Sequence, residues 1–104
     1  MSEQILTVFR NRLRPEATAE YGEMAPKMFA LAASMPGFVD AKTFTAPDDE
    51  RVTVVTFADR ASHNAWRDHV DHRVAQSRGI DTFYADYSIQ VATVTYDQRF
   101  HHEP

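Results

Sequence analysis

The chain has 104 residues, enough for one domain and too few for two. Its 43% hydrophobic and 25% charged content is ordinary for a globular protein, and its net charge of −4 comes from mixed signs with no basic block, which gives nucleic acid and anionic membrane no electrostatic purchase. It has no cysteine, so disulfides, thiolate catalysis and Cys-ligated metals are excluded.

Residues 4–13 alternate, with Ile5, Thr7, Phe9 and Asn11 on one face and Leu6, Val8 and Arg10 on the other, which predicts a first strand. From about Glu16 to Met35 the period lengthens. Tyr21, Met24, Ala25, Met28, Leu31, Ala32 and Met35 recur at three- and four-residue steps, a helical stripe. Pro26 inside that stripe predicts a kink or a late start, because it removes one hydrogen bond and crowds the preceding turn. Pro36-Gly37 stops the helix.

Residues 38–46 and 51–58 read as a second and third strand. The short turn Pro47-Asp48-Asp49-Glu50 joins them as an antiparallel hairpin. Asp59 is a candidate N-cap for a helical region over residues 60–78, with Gly79 as its break. Thr82, Phe83, Tyr84 and Tyr87 form an aromatic connector. Residues 88–96 read as the last strand, and the tail 97–104 as polar and loose.

This order, β-α-β-β-α-β, predicts an α+β fold of ferredoxin-like topology. One domain spans the chain, with its core at about 3–96. Both helices cover one face of a four-stranded antiparallel sheet. The other face keeps apolar side chains, and a homodimer paired through those faces is the expected way to cover them. The first residues show no basic segment followed by an apolar run, so no signal peptide is expected. No apolar run approaches the ~20 residues of a membrane span, and a cytoplasmic location is the default.

The densest polar and aromatic segment runs from Ser62 to Arg73 and holds the sole tryptophan. On a straight helix Trp66, His69, Val70 and Arg73 lie within about 60° of one direction, and His72 lies about 120° from Trp66, toward solvent. Trp66 is either core or pocket wall. His69 is either a satisfied structural histidine or a proton-transfer group. Asn11 is a strand-end polar residue whose amide is able to orient a substrate oxygen. Arg73 reads as solvated or surface-paired, and Phe83, Tyr84 and Tyr87 as packing residues with one wet end. His69 and His72, three apart without a carboxylate on their face, make a weak metal pair, and no metal site is expected. With only three glycines and no Gly-x-Ser-x-Gly elbow, nucleotide binding and serine nucleophile chemistry lack a signature.

Three segments carry a family resemblance. They are Met35-Pro36-Gly37-Phe38; Phe57-Ala58-Asp59 followed by Ser62, Ala65 and Trp66; and His69, His72, Ala75, Gln76 and Gly79 followed by Phe83, Tyr84 and Tyr87. Together they resemble the antibiotic biosynthesis monooxygenase-like proteins of the dimeric α+β-barrel group. The resemblance implies a sheet-to-sheet dimer with a pocket between helices and sheet in each subunit. It also implies cofactor-independent oxygenation of an aromatic, polyketide-like substrate, with no bound cofactor. Under it, Asn11 holds a substrate oxygen, Trp66 walls the pocket and His69 handles a proton. Phe9, His72, Arg73, Phe83 and Tyr84 complete the substrate-binding set. Other relatives degrade haem, and Asn11 and Trp66 also resemble that branch, but the position of its axial histidine carries Gln76. A non-catalytic dimeric small-molecule-binding protein is the remaining alternative.

Overall fold

The computed structural model describes residues 3–78 and 82–103. Strand β1 (Ile5–Leu13) leads through a 3-10 turn (Pro15–Ala17) into helix α1 (Thr18–Ser34), then β2 (Phe38–Thr45), β3 (Arg51–Phe57), α2 (Arg60–Arg67), α3 (Val70–Arg78) and β4 (Tyr84–Thr93). The strands form one antiparallel sheet in the order β2-β3-β1-β4. This is the ferredoxin-like α+β fold that the element order predicts.

Register explains which side chains meet. Ile5, Thr7, Phe9 and Asn11 of β1 stand opposite Phe57, Val55, Thr53 and Arg51 of β3, and those pairs share the face that the helices cover. Leu6 and Val8 share the opposite face with Val54 and Thr56, beside Val52 and Phe44. The buried core lies on the helix side, where Ala32, Val55, Phe57 and Trp66 pack together with Met35, Phe38 and Ala41 around them. Every member of the α1 stripe from Tyr21 to Met35 is buried or half-buried, as its spacing requires.

Four local expectations change. Helix α1 is not delayed or interrupted at Pro26, which lies inside it. The i−4 residue is Gly22, which brings no side chain to the turn that the proline ring crowds. The helical region after Asp59 is two helices. α2 ends at Arg67, Asp68 is its C-cap, and α3 starts at Val70. The predicted break at Gly79 lies outside the described residues. Strand β4 begins at Tyr84, earlier than the predicted 88, because β1 continues to Leu13 and pairs there with Tyr84 and Asp86. β4 ends at Thr93, and residues 94–103 adopt no regular structure, with Tyr96 and Phe100 exposed.

Candidate active site

Between the sheet and its helices lies a cavity of about 290 Å³. Thr7 and Phe9 of β1, Thr53 and Val55 of β3, and Ile89 and Val91 of β4 form its floor. Helix α1 roofs it with Tyr21, Met24, Met28 and Phe29. Helices α2 and α3 wall one side with His63, Trp66, His72 and Gln76, and Phe83 and Tyr84 close the end. On β4, Ile89 and Val91 are each 49% exposed, so the space opens toward that edge strand. The lining is mainly apolar and aromatic with few polar groups, the usual make-up of a small-molecule site.

Trp66 is the centre of the wall. It is stacked between Phe57 (5.2 Å between centroids, 28° between planes) and His72 (4.3 Å, 27°). Its indole Nε1 is buried and has no hydrogen-bond partner among the described residues.

His63 sits three residues before Trp66 on the same helix and is 2% exposed. The start of α2 is fixed by the Asp59 carboxylate, which accepts from the Ser62 backbone N–H at 2.7 Å. That bond holds the Asp59 carboxyl below its ordinary pKa. His63 Nδ1 lies 3.0 Å from Asn64 Oδ1, and Nε2 lies 3.0 Å from Thr7 Oγ1. With Nδ1–H donating to the Asn64 carbonyl, Nε2 is the free base and accepts from the Thr7 hydroxyl. Buried His63 and Thr7, both on the cavity lining, thus form a base–hydroxyl pair at the edge of an apolar space.

The break between α2 and α3 exchanges the places expected for two histidines. The Asp68 N–H still reaches the Asn64 carbonyl, while the His69 N–H turns back to the Trp66 carbonyl at 3.2 Å. The His69 carbonyl then accepts from the Arg73 N–H at 2.9 Å as α3 begins. His69 is half-buried at this junction and is not on the cavity lining. His72 is the one carried beneath Trp66, contrary to its solvent-facing expectation. Burial pushes its pKa down, opposed in part by the Arg67 carbonyl near Nδ1. Arg73 bonds Asp68 at 3.2 Å with a largely exposed side chain, away from the lining.

Phe9, Phe83 and Tyr84 line the cavity, with the Phe9 and Tyr84 rings edge-to-face at 5.2 Å. Burial raises the Tyr84 pKa, so its phenol stays protonated at neutral pH. Asn11 is fully buried, one register step past the Phe9–Thr53 pair and not on the lining itself. The sequence reading missed Thr7, His63 and Arg51. His63 was within reach of it: an i,i+3 relation to Trp66 puts both on one helix face.

A haem site does not fit these residues. Gln76 is on the cavity wall where that branch has its imidazole, and an amide is a poor iron ligand. The His72 ring face is pressed on Trp66. Among the described residues no three His, Asp or Glu side chains converge as a metal site, and no helix is long and apolar enough to cross a membrane.

An antiparallel sheet with helices on one face and a mainly apolar chamber between them defines a ferredoxin-like α+β domain with room for a small molecule. The chain belongs to the antibiotic biosynthesis monooxygenase family, whose model matches residues 4–78. It is 31% identical over 93 residues to the uncharacterised protein YqjZ of Bacillus subtilis, covering 89% of this chain and 82% of that one. Its fold is similar to that of SnoaB, a cofactor-independent oxygenase from Streptomyces nogalater. That match has a TM-score of 0.78 at 15% identity and covers 92% of this chain and 97% of the other. It is also similar to Rv0793 of Mycobacterium tuberculosis, with a TM-score of 0.79 at 14% identity, over 91% of this chain and 97% of that one.

Proposed function

We propose that the protein is a homodimeric, cofactor-independent monooxygenase for a small hydroxylated aromatic or polyketide-like molecule held in the cavity. The observation that carries this reading is the His63–Thr7 pair, a buried imidazole and hydroxyl beside an aromatic-walled space. Family membership and the likeness to SnoaB support it.

The chemistry uses the substrate as its own reductant. A phenol or its keto tautomer loses a proton through Thr7 to His63. The resulting anion gives one electron to O₂, and the substrate radical and superoxide combine into a carbon-bound peroxide anion. Loss of water leaves a new carbonyl, so one O₂ is consumed, one oxygen atom enters the product and the other leaves as water. The site's part is to take the first proton, return it to the departing hydroxide, and exclude bulk water. Asn11, beyond Phe9, and the unpartnered Trp66 N–H are the groups that would hold substrate oxygens.

Surface area supports the dimer. The chain exposes 7238 Å², against roughly 5,900 Å² expected for a compact monomer of its mass. The excess of ~1,300 Å² is shared by the irregular, exposed tail 94–103 and by sheet surface that a partner would cover. Part of it lies on the open sheet face, where Phe44 is 52% exposed.

Oxygen uptake with a panel of anthrones, naphthols and hydroquinones tests the reading. We expect turnover with at least one of them and a loss of about 10²-fold or more in kcat for His63→Gln. Unchanged kcat in that variant removes the proton-transfer assignment. Ligand-dependent thermal stabilisation without oxygen uptake across the panel favours the non-catalytic binding protein instead.

A further inference from the structure

The polar row of the sheet continues past the cavity floor. On the helix side, Thr7/Val55, Phe9/Thr53 and Asn11/Arg51 are successive register pairs. Asn11 and Arg51 therefore stand about 7 Å beyond Phe9 and Thr53. Tyr87 of β4 is opposite Asn11. Two cavity-lining rings, Tyr21 and Tyr84, meet at this end with centroids 6.1 Å apart. The Arg51 guanidinium carbon lies 4.6 Å from the Tyr21 ring centroid. Tyr21 is thus the cation's contact with the lining, on which neither Arg51 nor Asn11 itself lies.

Among the described residues the two groups at the end of this row, Asn11 and Arg51, are unmet. Asn11 is 0% exposed, and neither its amide nitrogen nor its amide oxygen has a hydrogen-bond partner. Arg51 Nε is likewise buried and unpartnered. Other arginines behave differently: Arg10, Arg12, Arg67, Arg73, Arg78 and Arg99 each have a carboxylate within 4.0 Å. Among the described residues Arg51 has none, which is also true of Arg14 and Arg60, but of the three Arg51 alone has a buried, unpartnered guanidinium nitrogen. A half-buried guanidinium with an unmet Nε beside a fully buried amide with both ends unmet is costly to keep, and a ligand that satisfies both groups removes that cost.

We propose that Asn11 and Arg51 form an anion subsite at the Tyr21–Tyr84 end of the cavity, and that the ligand is an aromatic acid. Its carboxylate extends past the lining, displacing the Tyr21 ring from the Arg51 fork, and is taken by that fork and the Asn11 amide N–H, while its ring system lies over Phe9 toward Trp66. A planar guanidinium matches a carboxylate in two parallel hydrogen bonds, and the dry, aromatic surroundings strengthen that pairing. Tyr84, kept neutral by burial, adds a phenol near the anion rather than a competing charge. The inference rests on the cavity taking an aromatic molecule, and it names the substituent that such a molecule carries.

The test compares 1-hydroxy-2-naphthoate with 1-naphthol, which share a ring system and differ by one carboxylate. Calorimetric titration measures both on wild type, Arg51→Met, Arg51→Lys and Asn11→Ala. Wild type is expected to prefer the acid by about 10- to 100-fold, the range of a charge-assisted hydrogen bond. Arg51→Met abolishes the preference while 1-naphthol binding stays within about 3-fold, which also reports an intact cavity; Arg51→Lys retains part of it. Equal wild-type affinities, or a preference that survives Arg51→Met, overturn the subsite and leave the aromatic cavity standing. Failure of both probes to bind overturns the subsite together with that reading of the cavity. Oxygen uptake is not part of this readout, so a catalytically silent protein is still able to show the preference.

Discussion

Replacing Trp66 separates what its ring does from what its N–H does. The indole is 7% exposed and stacked on both faces, by Phe57 and by His72. Trp66→Ala removes the stack and enlarges an existing cavity, at a cost of about 3–5 kcal/mol. That is a large part of the roughly 5–15 kcal/mol that holds a domain of this size together. Trp66→Phe keeps one ring in the stack. It gives up about 40 Å² of apolar contact, or ~1 kcal/mol. Against this, it removes a buried donor that has no partner, whose desolvation costs ~1–3 kcal/mol. The two terms nearly cancel, so Trp66→Phe is expected within about 1–2 kcal/mol of wild type. Urea unfolding followed by far-UV circular dichroism measures both variants, with equal m-values required for the comparison. If Trp66→Phe costs as much as Trp66→Ala, the N–H has a strong partner such as a buried water. The indole is then not a donor waiting for a ligand.

Gly37 takes φ +83°, and a Cβ there would stand 2.3 Å from Ser62 Oγ and 2.5 Å from Ser62 Cβ. Gly37→Ala therefore loses about 1–2 kcal/mol to the left-handed backbone and about 1–3 kcal/mol to overpacking. Adding Ser62→Gly returns only the packing share, and equal urea midpoints for the single and double variants refute the steric account. His72, whose pKa burial lowers from 6.5, stays neutral in the folded state to lower pH than in the unfolded chain. Its contribution is thus complete above pH 6.5 and is lost as pH falls from there through the folded-state pKa. Because an imidazolium stacked on indole quenches its emission, native fluorescence of the sole tryptophan is expected to drop with a midpoint below 6.5. A midpoint above 6.5, or an unchanged drop in His72→Gln, removes this assignment.

What was legible in the sequence, and what was not, follows from the range over which each cause acts. Strand alternation and the α1 stripe are local consequences of burying one face, so the order of the elements and the side of α1 that meets the sheet could be read from spacing. The break between α2 and α3 carries no glycine or proline: Arg67, Asp68, His69 and Val70 look like continuous helix. What ends α2 is the His69 N–H turning back to Trp66 while the Asp68 carboxylate is held by Arg67 and Arg73. Straight-helix geometry past that point assigns the wrong histidine to the chamber. Arg51 fails to show for a different reason. It follows the acidic turn Asp48-Asp49-Glu50 and reads as a surface charge with carboxylates to spare. Across the sheet, however, Arg10 takes Glu50 and Arg12 takes Asp48. The alternation of β3 meanwhile sends Arg51 to the same face as Thr53, Val55 and Phe57. That Arg51 gets neither carboxylate of the turn is decided by the pairing of β1 with β3, some forty residues apart in the chain. Only once that register is known does the half-buried Arg51 guanidinium, with its unmet Nε beside Asn11, become visible.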